Sequence, residues 1–206
     1  MAGEQGGASP RTRVPRGAGG TGRAEDMLSA AQGVFLRFGY RKTSMDEVAR
    51  AAGLSRQGLY LHFATKQELF HAVVTRMVDA VRTAALAALE RADLSVPERL
   101  LRALTALAGD AGGLGGGAAS DLLRAADAQA GPLLDQARTE IVAAMAALLE
   151  RSGAAAPWRD AGLTATDLAE HLYLLHPAVA RSGEDPARQR ERLAVAVRIV
   201  TRGRTG

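Results

Sequence analysis

Apolar residues recur at helical spacing along most of this 206-residue chain, and no segment shows the apolar-polar alternation of a strand. The first stripe contains Met27, Ala31, Val34 and Phe38, which share one face of a helix because a helix turns once in about 3.6 residues. Gly39 follows the stripe and can end the helix. The pattern predicts an all-α fold.

Two short helices separated by a glycine turn are predicted within residues 44–63. Ser44 and Glu47 have the spacing of a capping box, and Gly53 ends the helix that they begin. Ser55 can then cap a second short helix. This arrangement predicts either a helix-turn-helix, whose second helix enters the major groove of DNA, or a plain helical hairpin.

The rest of the chain is also predicted to be helical. Thr65 and Glu68 form another capping box, which begins a long helix. Further helices are predicted at residues 97–109, 118–130, 132–152, 164–181 and 185–202. The glycine-rich stretch 111–117 and the loop that contains Pro157 separate them.

Three segments differ in composition and charge. Residues 1–24 contain few large apolar side chains and are predicted to be a disordered basic tail, whereas residues 25–72 form a three-helix, homeodomain-like head and residues 73–206 a helical body. The tail has four arginines against one glutamate, the head has six basic against five acidic residues, and the body is neutral. The net charge of +4 therefore lies at the N-terminal end. The tail either stays solvated or lies in the minor groove of DNA through Arg11, Arg13, Arg16 and Arg23.

The residues that the chain lacks exclude several functional classes. The absence of cysteine excludes a disulfide framework, a zinc-thiolate site and a thiol redox sensor. No apolar stretch reaches the roughly 18 residues that span a bilayer, and the first residues are not apolar as in a signal peptide, so we expect a cytoplasmic protein without membrane contact. We find no nucleophile with its base, no carboxylate pair and no metal-ligand cluster. We therefore expect no enzyme activity, catalytic residue, metal or cofactor.

The second short helix has one face suited to DNA. If Leu59 and Phe63 point into the head, helical geometry places Gln57 and Leu61 on the outward face. Gln57 can form paired hydrogen bonds with a base edge, and Leu61 can contact a thymine methyl group. Arg56 can reach either a guanine or a phosphate.

Two residues would be unfavourable in isolated helices and favourable beside DNA. Gly58 in a short helix costs about 1 kcal/mol relative to alanine, which close approach of DNA would explain. Lys66 in the first turn of the long helix opposes the helix dipole, unless a phosphate lies nearby. Lys42, Thr43 and Ser44 can contact the phosphate strand on the other side of the reading helix.

Residues 43–49, 52–55, 59–63 and 65–70 follow one another at the spacing of a known family. The match covers about residues 24–80 and resembles the head of TetR-type repressors. This resemblance implies an all-helical homodimer with a ligand cavity in the body and a dimer interface on the last two long helices.

The same resemblance implies roles for individual residues. The implied phosphate contacts are Thr43, Ser44, Tyr60, His62 and Lys66. The residues that it places toward the bases are Arg56, Gln57, Gly58 and Leu61. Lys42 and Ser55 complete the candidate DNA-binding surface.

The body contains candidates for ligand binding and dimerisation. The candidate ligand contacts are Trp158, His171, Tyr173 and His176, although a structural role is the alternative for each. Two apolar stripes can pack either within the core of one chain or in a four-helix dimer interface, and the resemblance favours the dimer interface. The first stripe contains Leu168, Leu172, Leu175 and Val179, and the second contains Leu193, Ala196, Val197 and Val200.

The sequence therefore predicts a sequence-specific DNA-binding transcriptional regulator. We expect a repressor that binds an inverted-repeat operator as a homodimer and is released by a small-molecule ligand. The alternative is a ligand-independent architectural DNA-binding protein.

Overall fold

A computed structural model describes residues 19–108 and 117–202, and every regular element in these ranges is helical, as predicted. The α-helices are α1 (Gly19–Phe38), α2 (Met45–Ala51), α3 (Arg56–Tyr60), α4 (Lys66–Glu90), α5 (Val96–Ala108), α6 (Gly117–Arg151), α7 (Ala165–Ala180) and α8 (Pro186–Arg202). A 3-10 helix, Ala156–Ala161, precedes α7. No helix in these two ranges is both long and apolar enough to cross a membrane.

Helix α1 begins earlier than the composition predicts. Its first residue is Gly19, inside the segment 1–24 that we assigned to a disordered tail. Glycine is a poor helix former, but adding a residue to an existing helix costs less than nucleating one, so the apolar part of α1 can extend toward the N-terminus. The rest of the predicted tail, residues 1–18, and residues 111–116 of the predicted glycine-rich break lie outside the described residues.

Capping boxes fix the starts of the helices. At α2, the Ser44 hydroxyl accepts a hydrogen bond from the Glu47 amide at 3.3 Å, and the Glu47 carboxylate accepts one from the Ser44 amide at 2.7 Å. Thr164 begins α7 in the same way. Each box satisfies amide groups that the first helical turn leaves without partners.

The predicted capping box of α4 is displaced by one residue. The Thr65 hydroxyl accepts a hydrogen bond from the Glu68 amide at 3.0 Å, as expected. The Glu68 carboxylate, however, accepts a hydrogen bond from the amide of Ala64 at 2.9 Å rather than from that of Thr65. This bond ties the end of the α3–α4 turn to the first turn of α4.

The capping carboxylates are expected to make stability fall in acid. Hydrogen bonds from the amide and then the hydroxyl of Ser44 lower the pKa of Glu47, and bonds from the hydroxyl and amide of their caps lower the pKa of Glu98 and Asp167. A carboxyl whose pKa is lower in the folded state stabilises the fold above its unfolded pKa, and this stabilisation is lost as the pH falls through the folded pKa. The capping carboxyls should therefore make the melting temperature fall below about pH 4.

Circular dichroism melts at several pH values test this expectation. The control replaces Glu47 and Glu98 by glutamine and Asp167 by asparagine, because these side chains still accept hydrogen bonds but do not titrate. The variant should have a flatter pH profile than the native chain. An unchanged profile would show that other groups control the acid transition.

The buried side chains form two hydrophobic cores. The head core joins α1, α2, α3 and the first half of α4 to the part of α6 around Ala130. The body core joins the second half of α4 to α5, the second half of α6, α7 and α8. The head core therefore includes a helix segment that is remote in sequence from residues 25–72.

A kink separates the two halves of α6. Ala130 has φ −136° and ψ 19°, which are not helical angles, and Pro132 follows two residues later. Proline lacks an amide hydrogen and its ring clashes with the preceding turn, so it kinks a helix at this place. The predicted break between residues 130 and 132 is thus present as a kink within one long helix.

Several residues of the two apolar stripes are buried within the single chain. Within α7, Leu168, Leu172 and Val179 are buried inside the single chain, as are Leu193 and Val197 of α8. Their periodicity identified a buried face that packs within the body core, and Leu172, Leu175, Ala196 and Val200 of the same stripes also line a groove between α7 and α8. The exposed large apolar residues of these helices are Leu174, Val195 and Ile199.

Candidate DNA-binding surface

The helix-turn-helix is built from α2, a glycine turn and α3. Gly53 has φ +65°, in the left-handed region that favours glycine, and it turns the chain sharply after α2. The Ser55 hydroxyl then caps α3 by accepting a hydrogen bond from the Gly58 amide at 3.0 Å. Leu59 anchors α3 in the head core, where it is 0% exposed. These local interactions fix which side of α3 faces outward.

The outward side of α3 carries the predicted base-reading residues. Arg56 and Gln57 are exposed, and Leu61, just after the last residue of α3, is 81% exposed. Tyr60 is 38% exposed, and His62 is also exposed. An apolar side chain as exposed as that of Leu61 contributes little to the stability of the chain itself and is accessible to a partner.

Gly58 has a local reason to be glycine. A Cβ atom at this position would lie 3.2 Å from the hydroxyl oxygen of Ser55, which is closer than ordinary van der Waals contact. The same oxygen caps α3, so a side chain at position 58 would disturb the helix start. Close approach of DNA is therefore not needed to explain this glycine, although its half-buried position is compatible with such contact.

Lys66 links the two sides of the predicted phosphate-binding surface. Its Nζ atom donates hydrogen bonds to the carbonyl oxygens of Tyr40 and Thr43, both at 3.1 Å. The same ammonium group lies 4.5 Å from the centre of the Tyr40 ring. These contacts hold the loop before α2 against the start of α4, and they offset the unfavourable position of a cation at a helix N-terminus.

The start of α2 presents fewer free side chains than the sequence suggested. Thr43 is only 3% exposed, and its hydroxyl donates a hydrogen bond to the Gly39 carbonyl at 2.7 Å. Ser44 takes part in the capping box of α2, whereas Lys42 is exposed. A phosphate contact by Thr43 would therefore have to use its backbone amide.

Sequence analysis missed two residues of this surface. Asp46, on α2, lies with its Oδ2 atom 3.2 Å from Nη1 of Arg56. Tyr40 contacts Lys66 and packs against Phe70, with ring centres 4.6 Å apart. The contact of Asp46 joins α2 to α3, and the contacts of Tyr40 join the turn before α2 to α4, so no spacing within a single helix predicts them.

Comparison with known proteins assigns the family. The sequence profile described as "Bacterial regulatory proteins, tetR family" matches residues 27–73. The crystal structure of a TetR-like transcriptional regulator from Rhodococcus sp. RHA1 is 30% identical, covers 90% of this chain and 96% of its own, and superposes with a TM-score of 0.66. The chain belongs to the TetR family.

Two curated relatives match only part of the chain. The transcriptional activator FasR from Mycolicibacterium smegmatis is 43% identical over 74 residues, which are 36% of this chain and 32% of FasR. The transcriptional repressor BepR from Brucella suis is 36% identical over 52 residues, or 25% of each chain. The chain thus covers a third or less of these two relatives, and their names include both directions of regulation.

The four candidate ligand contacts of this TetR-family chain have different surroundings. The Trp158 indole donates a hydrogen bond to the Val200 carbonyl at 2.9 Å and so ties the 3-10 helix to α8. Tyr173 and His176 pack edge to face, with ring centres 4.8 Å apart, and burial lowers the pKa of His176. His171 instead lines an open groove between α7 and α8. Three of the four side chains, all except His171, therefore already have partners within the chain.

Proposed function

We propose that this TetR-family protein is a sequence-specific DNA-binding transcriptional regulator. The observation that carries this proposal is the outward face of α3, where Arg56, Gln57 and Leu61 are exposed while Leu59 is fixed in the core. An amide, a guanidinium and a methyl-bearing side chain can read adenine, guanine and thymine in the major groove.

The surfaces on either side of α3 suit the DNA backbone. Lys42 and Ser44 lie at the start of α2, and Lys66 lies at the start of α4. The third hydrogen of the Lys66 ammonium group, which the two carbonyl contacts do not use, can be donated to a phosphate. Tyr60 and His62, which are exposed between the two, can add further phosphate contacts. Phosphate contacts on both sides would fix the register of α3 in the groove.

We also propose that the protein acts as a homodimer on an inverted repeat. Leu174 and Ile199 are 57% and 59% exposed and line the groove between α7 and α8, which has a volume of about 370 Å³. A second copy covering this groove would bury these apolar side chains, and the two-fold symmetry would place two heads on two half-sites.

We propose that the protein is a cytoplasmic repressor. A small molecule that binds the body would release the protein from its DNA operator. A ligand that binds better to the conformation in which the heads are misplaced lowers DNA affinity by the same factor by which DNA lowers ligand affinity. The sequence candidates for this ligand site are Trp158, His171, Tyr173 and His176.

Footprinting on the DNA next to the gene for this protein tests the proposal. We expect protection of an inverted repeat and an affinity at least about 10³-fold higher than for random duplex DNA. Equal affinity for the operator and for random duplex DNA would instead support an architectural DNA-binding protein. Reporter expression with and without the protein then distinguishes repression from activation.

Exchanging Gln57 and Lys66 separately for alanine should distinguish base reading from backbone binding. Gln57→Ala should change the preference at one base pair of each half-site, by about 1–3 kcal/mol, because it removes paired hydrogen bonds with a base edge. Lys66→Ala should weaken binding to all sequences to a similar extent. Competition with single-base operator variants measures both effects, and equal behaviour of the two variants would contradict the assigned roles.

A further inference from the structure

Three side chains form a cluster on the surface that carries α3. Nη1 of Arg56 donates a hydrogen bond to Oδ2 of Asp46 at 3.2 Å. The guanidinium carbon of Arg56 also lies 5.5 Å from the centre of the Tyr60 ring. Asp46 belongs to α2 and Arg56 to α3, so this Asp46–Arg56–Tyr60 cluster joins the two helices of the helix-turn-helix.

The carboxylate of Asp46 is costly in a surface that meets DNA. The side chains of Arg56 and Asp46 are 66% and 50% exposed, and an ion pair as exposed as this adds little stability to a protein. The helix start does not require Asp46 either, because Glu47 already supplies the carboxylate of the capping box. A negative charge beside phosphates lowers the affinity for every DNA sequence.

We propose that Asp46 is a specificity-determining residue that keeps Arg56 from binding phosphates. This inference rests on the proposed DNA-binding function. A free arginine side chain is long and flexible and can contact any nearby phosphate, which would raise the affinity for all sequences alike. An arginine held by a carboxylate and by an aromatic face is directed toward a base instead.

The geometry leaves Arg56 able to read a guanine. A guanidinium group has five N–H donors, and one of them is used by Asp46 in the described structure. The remaining donors can form the paired hydrogen bonds with O6 and N7 of guanine. At a site without guanine, Arg56 forms no such hydrogen bonds, and the phosphates still repel the carboxylate of Asp46. The affinity for such a site is therefore lower.

The substitution Asp46→Asn tests this role on the full chain. The affinity for random duplex DNA should rise about three- to fivefold, because Arg56 becomes free to bind a phosphate. The affinity for the footprinted operator should change less than twofold, because the gain from removing a negative charge is offset there by the loss of the contact that directs Arg56 toward a base, so the specificity ratio should fall. The plot of log affinity against log salt for random DNA should steepen by about 0.9, which corresponds to one additional phosphate contact.

Two further variants identify the cause. Asp26→Asn removes the same charge from the exposed surface of α1, and it should leave the specificity ratio and the salt slope unchanged. In a chain that also carries Arg56→Ala, Asp46→Asn should no longer change the specificity ratio, because the guanidinium group that Asp46 restrains is absent.

The outcomes separate this inference from the function on which it rests. A native chain that does not prefer its own operator over random DNA would refute the proposed function. A native chain that does prefer the operator, together with an Asp46→Asn variant that has the same specificity ratio and salt slope, would overturn the role of Asp46 alone. An effect of Asp46→Asn that persists in the Arg56→Ala background would overturn it as well.

Discussion

Replacing Leu61 by aspartate is expected to lower operator affinity by at least about 100-fold without lowering the melting temperature, because a carboxylate facing phosphates costs several kcal/mol. Leu61 is 81% exposed, so its side chain contributes little to the packing of the head. In the proposed complex the leucine contacts a thymine methyl group, and aspartate would remove that contact as well.

Fluorescence anisotropy with labelled operator DNA measures the first effect, and thermal unfolding followed by circular dichroism measures the second. Leu163→Asp is the matched control, because Leu163 is also exposed but lies in the loop before α7. The control should bind DNA like the native chain. Operator binding that survives in Leu61→Asp would mean that another face of the head meets the DNA.

Replacing Phe70 by alanine is expected to destabilise the protein by about 3–5 kcal/mol, the range found for large aromatic side chains removed from cores. Phe70 is completely buried and meets Phe35 edge to face, with ring centres 5.1 Å apart. Its ring also contacts that of Tyr40, the residue whose carbonyl oxygen and ring hold Lys66. The variant should therefore loosen the DNA-binding surface in addition to the core.

Urea unfolding followed by circular dichroism measures this change in stability. Phe38→Ala provides the comparison, because Phe38 lies in α1 of the same head but is 43% exposed. We expect this control to lose no more than about 1.5 kcal/mol. Equal losses in the two variants would contradict the assignment of Phe70 to the centre of the head core.

The sequence predicted those features that depend on neighbours within one helix. The starts of α2 and α4 follow from Ser44 and Thr65, because a capping residue acts on the amide three positions later. The outward position of Gln57 and Leu61 follows from the inward position of Leu59, since both depend only on helical geometry.

Features that depend on contacts between helices could not be predicted in this way. Periodicity showed that Leu172 and Leu193 are buried, but it does not distinguish a face packed within one chain from a face packed against a second chain. The pairing of Asp46 with Arg56 and the contact of Lys66 with Tyr40 also depend on how segments that are apart in sequence meet in the fold. The argument from Lys66 failed to consider internal partners for the same reason, whereas the neighbour that explains Gly58 is Ser55, the cap of its own helix.

The sharing of α6 between the two cores limits how the DNA-binding unit can be transplanted. Ala125, Ala126, Ala130 and Leu133 pack with the head although they lie more than 50 residues beyond its sequence boundary at residue 72. A chimera that joins residues 25–72 of this chain to the body of another regulator would leave one side of the head facing a foreign helix. A chimera designed for compatible packing must also carry the first half of α6, so the natural module for exchange is discontinuous in sequence.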